Sequence, residues 1–383
     1  MISPEIFSFL CSAEAREAIE QTLARRPSDI ALDRKVPQAA SIATQVKYLQ
    51  RAKVKLPSYY AARCIIPPRA FEQSSSEATA GVKRLSGGSV LELTGGLGVD
   101  TLYLSQIFER SVSLERDELL ADVTRENLRR LGAEGVEILA TPAEEYLERC
   151  QEHFDWIYVD PDRRGASGEK LVRLEDCSPN IIELMPHIRR LCRRLAIKLS
   201  PIFDVDEGRR LFPDSHIEVV SLGGECKEVL IYTGAESPSL SAVAVGRGEC
   251  RYPISEIDNT PCLEPFVAER YGWLVIPDVA LQKSRLACHA LRGVADIFSN
   301  NGFGFAESEP VGVIGRYEAI DKVVSYEPKV LIKELRGEGV EILKRDFPLE
   351  TRQILSQLKI REGGRRRIAF TKIGDRLLAI FLK

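Results

Sequence analysis

The sequence predicts an α/β protein centred on a mostly parallel, seven-stranded sheet, with a helical region before it and a small α+β module after it. Three observations carry this. Apolar, strand-like runs at 89–93, 111–115, 136–139, 156–160 and 195–199 alternate with helical segments long enough to cross over a sheet. The last two runs of the unit, 217–222 and 229–232, are joined only by Gly223-Gly224-Glu225-Cys226-Lys227-Glu228. That connection is too short for a helical crossover and predicts an antiparallel hairpin at the sheet edge. Past residue 240 the pattern changes to short strands and turns.

The order of elements follows from local chemistry. Within residues 1–80, helical spacing at 13–25 and 42–52 is broken by Pro57 and by Pro67-Pro68. Residues 71–80 then place Ser74, Ser75 and Ser76 ahead of Glu77 and a helical stretch, an N-cap signature. Residues 81–236 hold the seven strands, and the Ser-, Pro- and Gly-rich 235–240 reads as a linker. Beyond it come two smaller parts, 237–310 and 311–383. They have expected strands at 272–276 and 312–315, a helix at 329–336 and a hairpin at 367–382 around Gly374-Asp375.

Composition excludes several classes. With 383 residues, 44% hydrophobic and 28% charged, the chain is neither disordered nor fibrous, and at about 150 residues per domain its length predicts two or three domains. A formal net charge of -3 excludes an all-over basic coat but not a local basic patch. Nine cysteines, an odd number without any C-x-x-C pair, predict reduced thiols and a cytoplasmic protein. The N-terminus lacks a positive n-region, and no apolar run approaches the ~20 residues of a membrane span, so neither a secretory signal nor a membrane anchor is expected. The four histidines have no metal-ligand spacing, so no metal is expected.

The most informative segment is Val90-Leu91-Glu92-Leu93-Thr94-Gly95-Gly96-Leu97-Gly98-Val99-Asp100-Thr101, an apolar strand that runs through glycines into a helical pattern. Glycines there permit positive φ and let a ligand touch backbone. A dinucleotide fingerprint wants a small residue where Thr101 stands, which weakens nicotinamide binding without eliminating it. The Gly-Lys-Ser/Thr of a P-loop is absent, which removes kinase and ATPase chemistry. The second strand ends Ser113-Leu114-Glu115-Arg116, with the Glu115 carboxylate placed to accept both hydroxyls of a ribose. A nucleoside without a pyrophosphate suits both features.

On these residues, 81–236 resembles the class I S-adenosylmethionine-dependent methyltransferases. Residues 92–98 match their first motif, Glu115 matches the acidic ribose ligand, and the seven strands with a terminal hairpin match their Rossmann-like sheet. The resemblance implies S-adenosylmethionine as cofactor, held by Glu92, Thr94, Gly95, Gly96, Gly98, Asp100 and Thr101 on the first turn and by Glu115 and Arg116 on the second strand. The family often has an acid after strand three, but here Leu139-Ala140-Thr141-Pro142-Ala143-Glu144 puts proline in that slot. Thr141, the Ala143 backbone and Glu144 are the expected substitutes. Family members often fold a lead-in segment over the cofactor, which makes Gln73, Ser75 and Ser76 candidates for the substrate side.

The fourth strand stops at Asp160-Pro161-Asp162-Arg163-Arg164, placing charge at a carboxyl end over the ligand crevice. Enzymes that methylate exocyclic amines carry Asp/Asn-Pro-Pro-aromatic here. The resemblance implies that Asp160 and the Pro161 carbonyl accept hydrogen bonds from a target amine. Asp162 replaces the second proline and Arg163 the aromatic, which puts base N-methylation in doubt. The motif is also similar to the Asp-Pro-Pro-Arg-x-Gly of RNA uridine-C5 methyltransferases. Those need a cysteine after strand five, where this chain has Lys198-Leu199-Ser200-Pro201. Asp160, Pro161, Asp162 and Arg163 are the expected catalytic group, and Arg164 is expected to hold a phosphate or stack on a base. A surface turn with Arg163 paired to Asp162 is the plain alternative.

From Lys359 to Lys383 basic residues exceed acidic ones by six, with Arg365, Arg366 and Arg367 at the centre. Such a run attracts phosphate with little sequence information, although a solvated face explains it equally well. Residues 311–383 look like the THUMP-like module of a bacterial group of methyltransferase-like proteins, and 237–310 resembles their ferredoxin-like connector. THUMP domains deliver RNA, typically tRNA, so the resemblance implies methyl transfer to RNA. The alternatives are an RNA-binding protein that kept the fold without catalysis, and a methyltransferase for protein or a small molecule.

Overall fold

The computed structural model describes residues 2–162 and 174–383. It divides into two compact units, Met1–Asp204 with Leu230–Glu236, and Val205–Val229 with Ser237–Lys383.

In the first unit the five parallel strands are β1 (Ser89–Glu92), β2 (Arg110–Leu114), β3 (Glu137–Leu139), β4 (Trp156–Val159) and β5 (Leu195–Leu199). Strand β1 pairs with both β2 and β4, so it is central, and the chain order reverses beside it. That reversal opens a crevice above the carboxyl ends of the strands, where ligands of open α/β sheets bind. Strands β1, β4 and β5 are buried along almost their whole length, as parallel strands covered on both faces require.

Residues 2–80 and the glycine turn share one core. In the helix Ala39–Lys55, Ile42, Val46, Leu49 and Ala52 recur at helical spacing and are fully buried. They belong to the same cluster as Leu97, Val99, Ala121 and Leu128 from around the crevice. A fully buried Leu or Ile contributes about 1.5–3 kcal/mol, so this packing ties the N-terminal helices firmly to the first strands. Two buried amides then fix the chain that leads into the crevice. Asn127 bonds both backbone groups of Ile65, at 2.7 and 2.8 Å. Gln45 does the same for Ile66, at 3.0 and 3.3 Å. The Pro67-Pro68 step that follows starts a short helix, Pro68–Gln73, with proline at the position where a missing N–H costs nothing.

Strands β6 (Ser215–Leu222), β7 (Glu225–Thr233), β8 (Ser239–Ala244) and β9 (Gly248–Pro253) follow along the chain. The expected seven strands are present, but two more follow. The stretch read as a linker, 235–240, ends inside β8, which pairs parallel with β6 and antiparallel with β9. Its residues Ser239, Leu240, Ser241 and Ala242 are all buried. Small polar residues there satisfy one another by hydrogen bonds, His216 bridging Ser239 at 2.9 Å and Ser241 at 3.1 Å, so the stretch lacks the apolar alternation that marks a strand in sequence.

The second unit carries an eight-stranded sheet. Its strands are β10 (Trp273–Pro277), β11 (Asp296–Ile297), β12 (Gly304–Ala306), β13 (Gly315–Ser325), β14 (Gly339–Lys344), β15 (Arg361–Glu362), β16 (Arg366–Ile373) and β17 (Arg376–Leu382), in the order β11-β12-β10-β13-β17-β16-β14-β15. The expected C-terminal hairpin is β16 and β17. The strand expected at 312–315 begins only at Gly315, where a Cβ would stand 2.4 Å from the Ile276 carbonyl oxygen. The helices Pro328–Leu335 and Thr351–Leu358 bury Leu331, Leu335, Ile354 and Leu358 against Ile368 and Phe370 of β16.

Candidate cofactor and acceptor site

A cavity of about 650 Å³ opens at the carboxyl ends of β1, β2 and β4 in the first unit, within the 300–1,000 Å³ typical of small-molecule sites. Its floor is the glycine turn. Gly95 donates to the Leu114 carbonyl at 2.7 Å, and a side chain there would strike the Ser113 hydroxyl at 2.6 Å. Gly96 has φ +55° and nothing within 4 Å of where a Cβ would stand. Its backbone is therefore bare toward the cavity.

Glu115 forms the wall. One carboxylate oxygen accepts the Gly96 N–H at 2.9 Å and the other the Asp117 N–H at 2.9 Å. The carboxylate is thus oriented by backbone at both oxygens, and each oxygen retains a lone pair for a further donor. The site residues Thr94, Gly95, Gly96, Asp100, Glu115, Arg116, Ala143 and Glu144 all line the cavity, as do Gln73, Ser75, Asp160, Pro161 and Asp162. Leu93, Leu97, Leu119 and Leu120 add apolar surface. Arg116 donates to the Ser178 hydroxyl at 3.0 Å, and Ser178 pairs its backbone with Asp162 at 2.8 and 2.9 Å.

Four expected site residues lie behind this lining. Glu92 is 2% exposed and accepts hydroxyl hydrogen bonds from Thr101 at 2.5 Å and Ser113 at 2.7 Å. Burial pushes its carboxyl up to about 8, against the lowering effect of those two hydroxyls. Glu92 and Thr101 brace the turn from below rather than reaching a ligand. Gly98, at φ +83°, is needed because a Cβ there would meet the Thr124 methyl at 2.7 Å. Ser76 caps the helix Glu77–Ala80, accepting from the Thr79 N–H at 3.2 Å. Arg163 and Arg164 lie outside the described residues.

The C-terminal arginines belong to the second unit. Arg366 pairs with Glu338 at 3.2 Å, while Arg367 is held by Glu318 at 2.5 Å and Glu341 at 3.1 Å. Arg365 is exposed. Two of the three charges are therefore partly neutralised within the chain, which the sequence run alone concealed.

Sequence reasoning passed over Lys198. It projects from β5, lines the cavity and pairs with Asp160, while also bonding the Ser75 hydroxyl at 2.9 Å and Asp100 at 3.3 Å. Asp100 in turn accepts from Lys83 at 2.7 Å, Ser75 at 2.9 Å and the Tyr158 hydroxyl at 3.1 Å. Burial alone would raise the Asp100 carboxyl, but Lys198 and Lys83 override it and hold the group well below the usual carboxylate range. The backbone of Asp160 is fixed as well, its N–H donating to the Thr94 hydroxyl at 2.8 Å. A lysine inside the otherwise apolar Leu195–Leu199 was the available signal, because a buried charge requires a partner.

Known proteins share this fold. A crystal structure of a candidate methyltransferase from Porphyromonas gingivalis W83 superposes with a TM-score of 0.79 over 100% of this chain and 98% of its own, at 24% identity. Residues 315–383 match the family described as THUMP domain-like. A Mycobacterium tuberculosis protein, named an uncharacterized S-adenosylmethionine-dependent methyltransferase, is 23% identical over 76% of this chain and 79% of its own. The chain thus has the fold of a candidate methyltransferase, is similar in sequence to an S-adenosylmethionine-dependent methyltransferase, and carries a THUMP domain-like region at its C-terminus. A shorter likeness, 38% identity over 82 residues, covers 19% of this chain and 34% of a Francisella philomiragia protein named ribosomal RNA small subunit methyltransferase J.

Among the described residues no helix is long and apolar enough to cross a membrane, and no cluster of His, Cys, Asp or Glu is arranged to hold a metal ion.

Proposed function

We propose that this methyltransferase acts on RNA, with tRNA as the favoured class, and that it works in the cytoplasm. The observation that carries the reading is that Glu115, Asp160 and the Gly96 backbone line one cavity. In this reading the ribose of S-adenosylmethionine sits on Glu115, its methionine part crosses the glycine turn, and its adenine lies against Leu120, Ala143 and Glu144. When bound, the cofactor supplies an electrophilic methyl group. The protein's own part is to exclude water, aim the acceptor and take its proton at Asp160.

The RNA assignment draws support from the THUMP domain-like match at 315–383 and from the ribosomal RNA methyltransferase relative. Exposed Arg365 is the expected phosphate contact on that module. The test is mass spectrometry of nucleosides from tRNA and rRNA of cells with and without the gene. The reading requires a methylated nucleoside that disappears only in the deletion strain. An identical nucleoside profile in both strains rules RNA out.

A further inference from the structure

Beside the acceptor acid stands a cation that a simple amine methyltransferase does not need. Lys198 pairs with Asp160 and keeps only 10% of its side chain exposed, whereas Asp160 keeps 35%. Both groups line the cavity, and the acid is the more exposed of the pair. Asp100 and Lys83 join the group, so among the described residues two carboxylates face two ammonium groups.

Charge flow decides which acceptor such a cluster suits. An exocyclic amine gains positive charge as its nitrogen bonds to the methyl carbon, and a fixed ammonium opposes that. A hydroxyl that gives up its proton gains negative charge on oxygen, and the same ammonium stabilises it. Once Asp160 has taken a proton, the Lys198 ammonium beside it is no longer offset by that carboxylate. Within an RNA chain the hydroxyl on offer at every nucleotide is the ribose 2′-hydroxyl.

Building on the RNA reading above, we propose that the methyl acceptor is a ribose 2′-oxygen, with Asp160 taking its proton and Lys198 stabilising the developing oxyanion. The oxygen forms a bond to the methyl carbon as the carbon–sulfur bond breaks. The electron pair of the broken bond stays on sulfur, which becomes a neutral thioether. The hydroxyl proton passes to the Asp160 carboxylate and then to water. This displaces the exocyclic amine expected from the Asp-Pro motif, whose second proline and stacking aromatic are already replaced by Asp162 and Arg163.

The test incubates the full-length protein with methyl-tritiated S-adenosylmethionine and total RNA from a strain lacking the gene, followed by alkaline hydrolysis. A 2′-O-methyl group blocks cleavage of the adjoining phosphodiester, so the label is expected in alkali-stable dinucleotides. Label in mononucleotides overturns the oxygen assignment while leaving RNA methylation standing. No label in RNA overturns the RNA reading, and this inference with it. Lys198→Met is expected to slow transfer about 100- to 1,000-fold, and Lys198→Arg to restore it to within about tenfold of the parent. A thermal melt of both variants confirms folding, and Lys198→Arg, which keeps the charge, separates loss of the ammonium from loss of the fold. Transfer by Lys198→Met at the parental rate contradicts the role of the ammonium.

Discussion

The sharpest single perturbation is Glu115→Gln. The two carboxylate oxygens each receive a backbone N–H, from Gly96 and Asp117, both at 2.9 Å. A glutamine has one acceptor oxygen and one amide nitrogen, so in either orientation its NH2 opposes a backbone donor and one bond is lost. The ribose hydroxyls also lose an anionic partner. Hydrogen bonds to charged groups contribute about 1.5–3 kcal/mol and neutral ones about 0.5–1.5. Two of them together lose about 2–3 kcal/mol, a weakening of about 30- to 150-fold at 1.4 kcal/mol per decade. The assay is calorimetric titration of S-adenosylhomocysteine into parent and variant, with a thermal melt to confirm folding. The lost backbone bond costs about 1 kcal/mol, a fall of about 2–4 °C for a unit of this size. An unchanged affinity in a variant that melts normally would refute the role given to Glu115.

Other consequences are open to direct measurement. Gly96→Ala, whose Cβ meets nothing within 4 Å but projects at φ +55°, is expected to cost about 1–2 kcal/mol of stability and to abolish cofactor binding; retention of binding would show that the ligand does not cross that backbone. Asp100→Asn leaves Lys83 and Lys198 without their shared anion and is expected to destabilise the fold by about 3–5 kcal/mol in urea unfolding. Glu92, raised by burial to about 8 from 4.5 in the unfolded chain, binds its proton more tightly when folded, so its contribution to stability is complete below about pH 4.5 and is lost as pH rises toward 8. Melting temperature is therefore expected to fall over that window in the parent and to fall less in Glu92→Gln. Arg365→Ala is expected to weaken RNA binding and reduce its salt dependence by about one phosphate contact, whereas Arg367→Ala, because Glu318 and Glu341 already hold Arg367, is expected to change stability more than binding.

Much of the site was legible because a tight approach of backbone to ligand can be met only by particular residues. Gly95 and Gly96 announce that approach, Glu115 ends the neighbouring strand, and Asp160 ends the strand on the other side. What the sequence concealed depends on pairing across distance. Lys198 and Asp160 stand 38 residues apart, and Lys198 and Asp100 stand 98 apart. Glu92 looked like a ligand because it belongs to the motif, yet its own side of β1 faces Thr101 and Ser113. Strand β8 was hidden for a related reason: its serines are satisfied by His216 on β6, a partner that only the folded sheet supplies.

The most direct measurement is a crystal structure of the protein with S-adenosylhomocysteine. The account requires the ribose hydroxyls within hydrogen-bond distance of Glu115 and the sulfur turned toward Asp160 and Lys198. A ligand bound away from the glycine turn, or a ribose that does not touch Glu115, would contradict it.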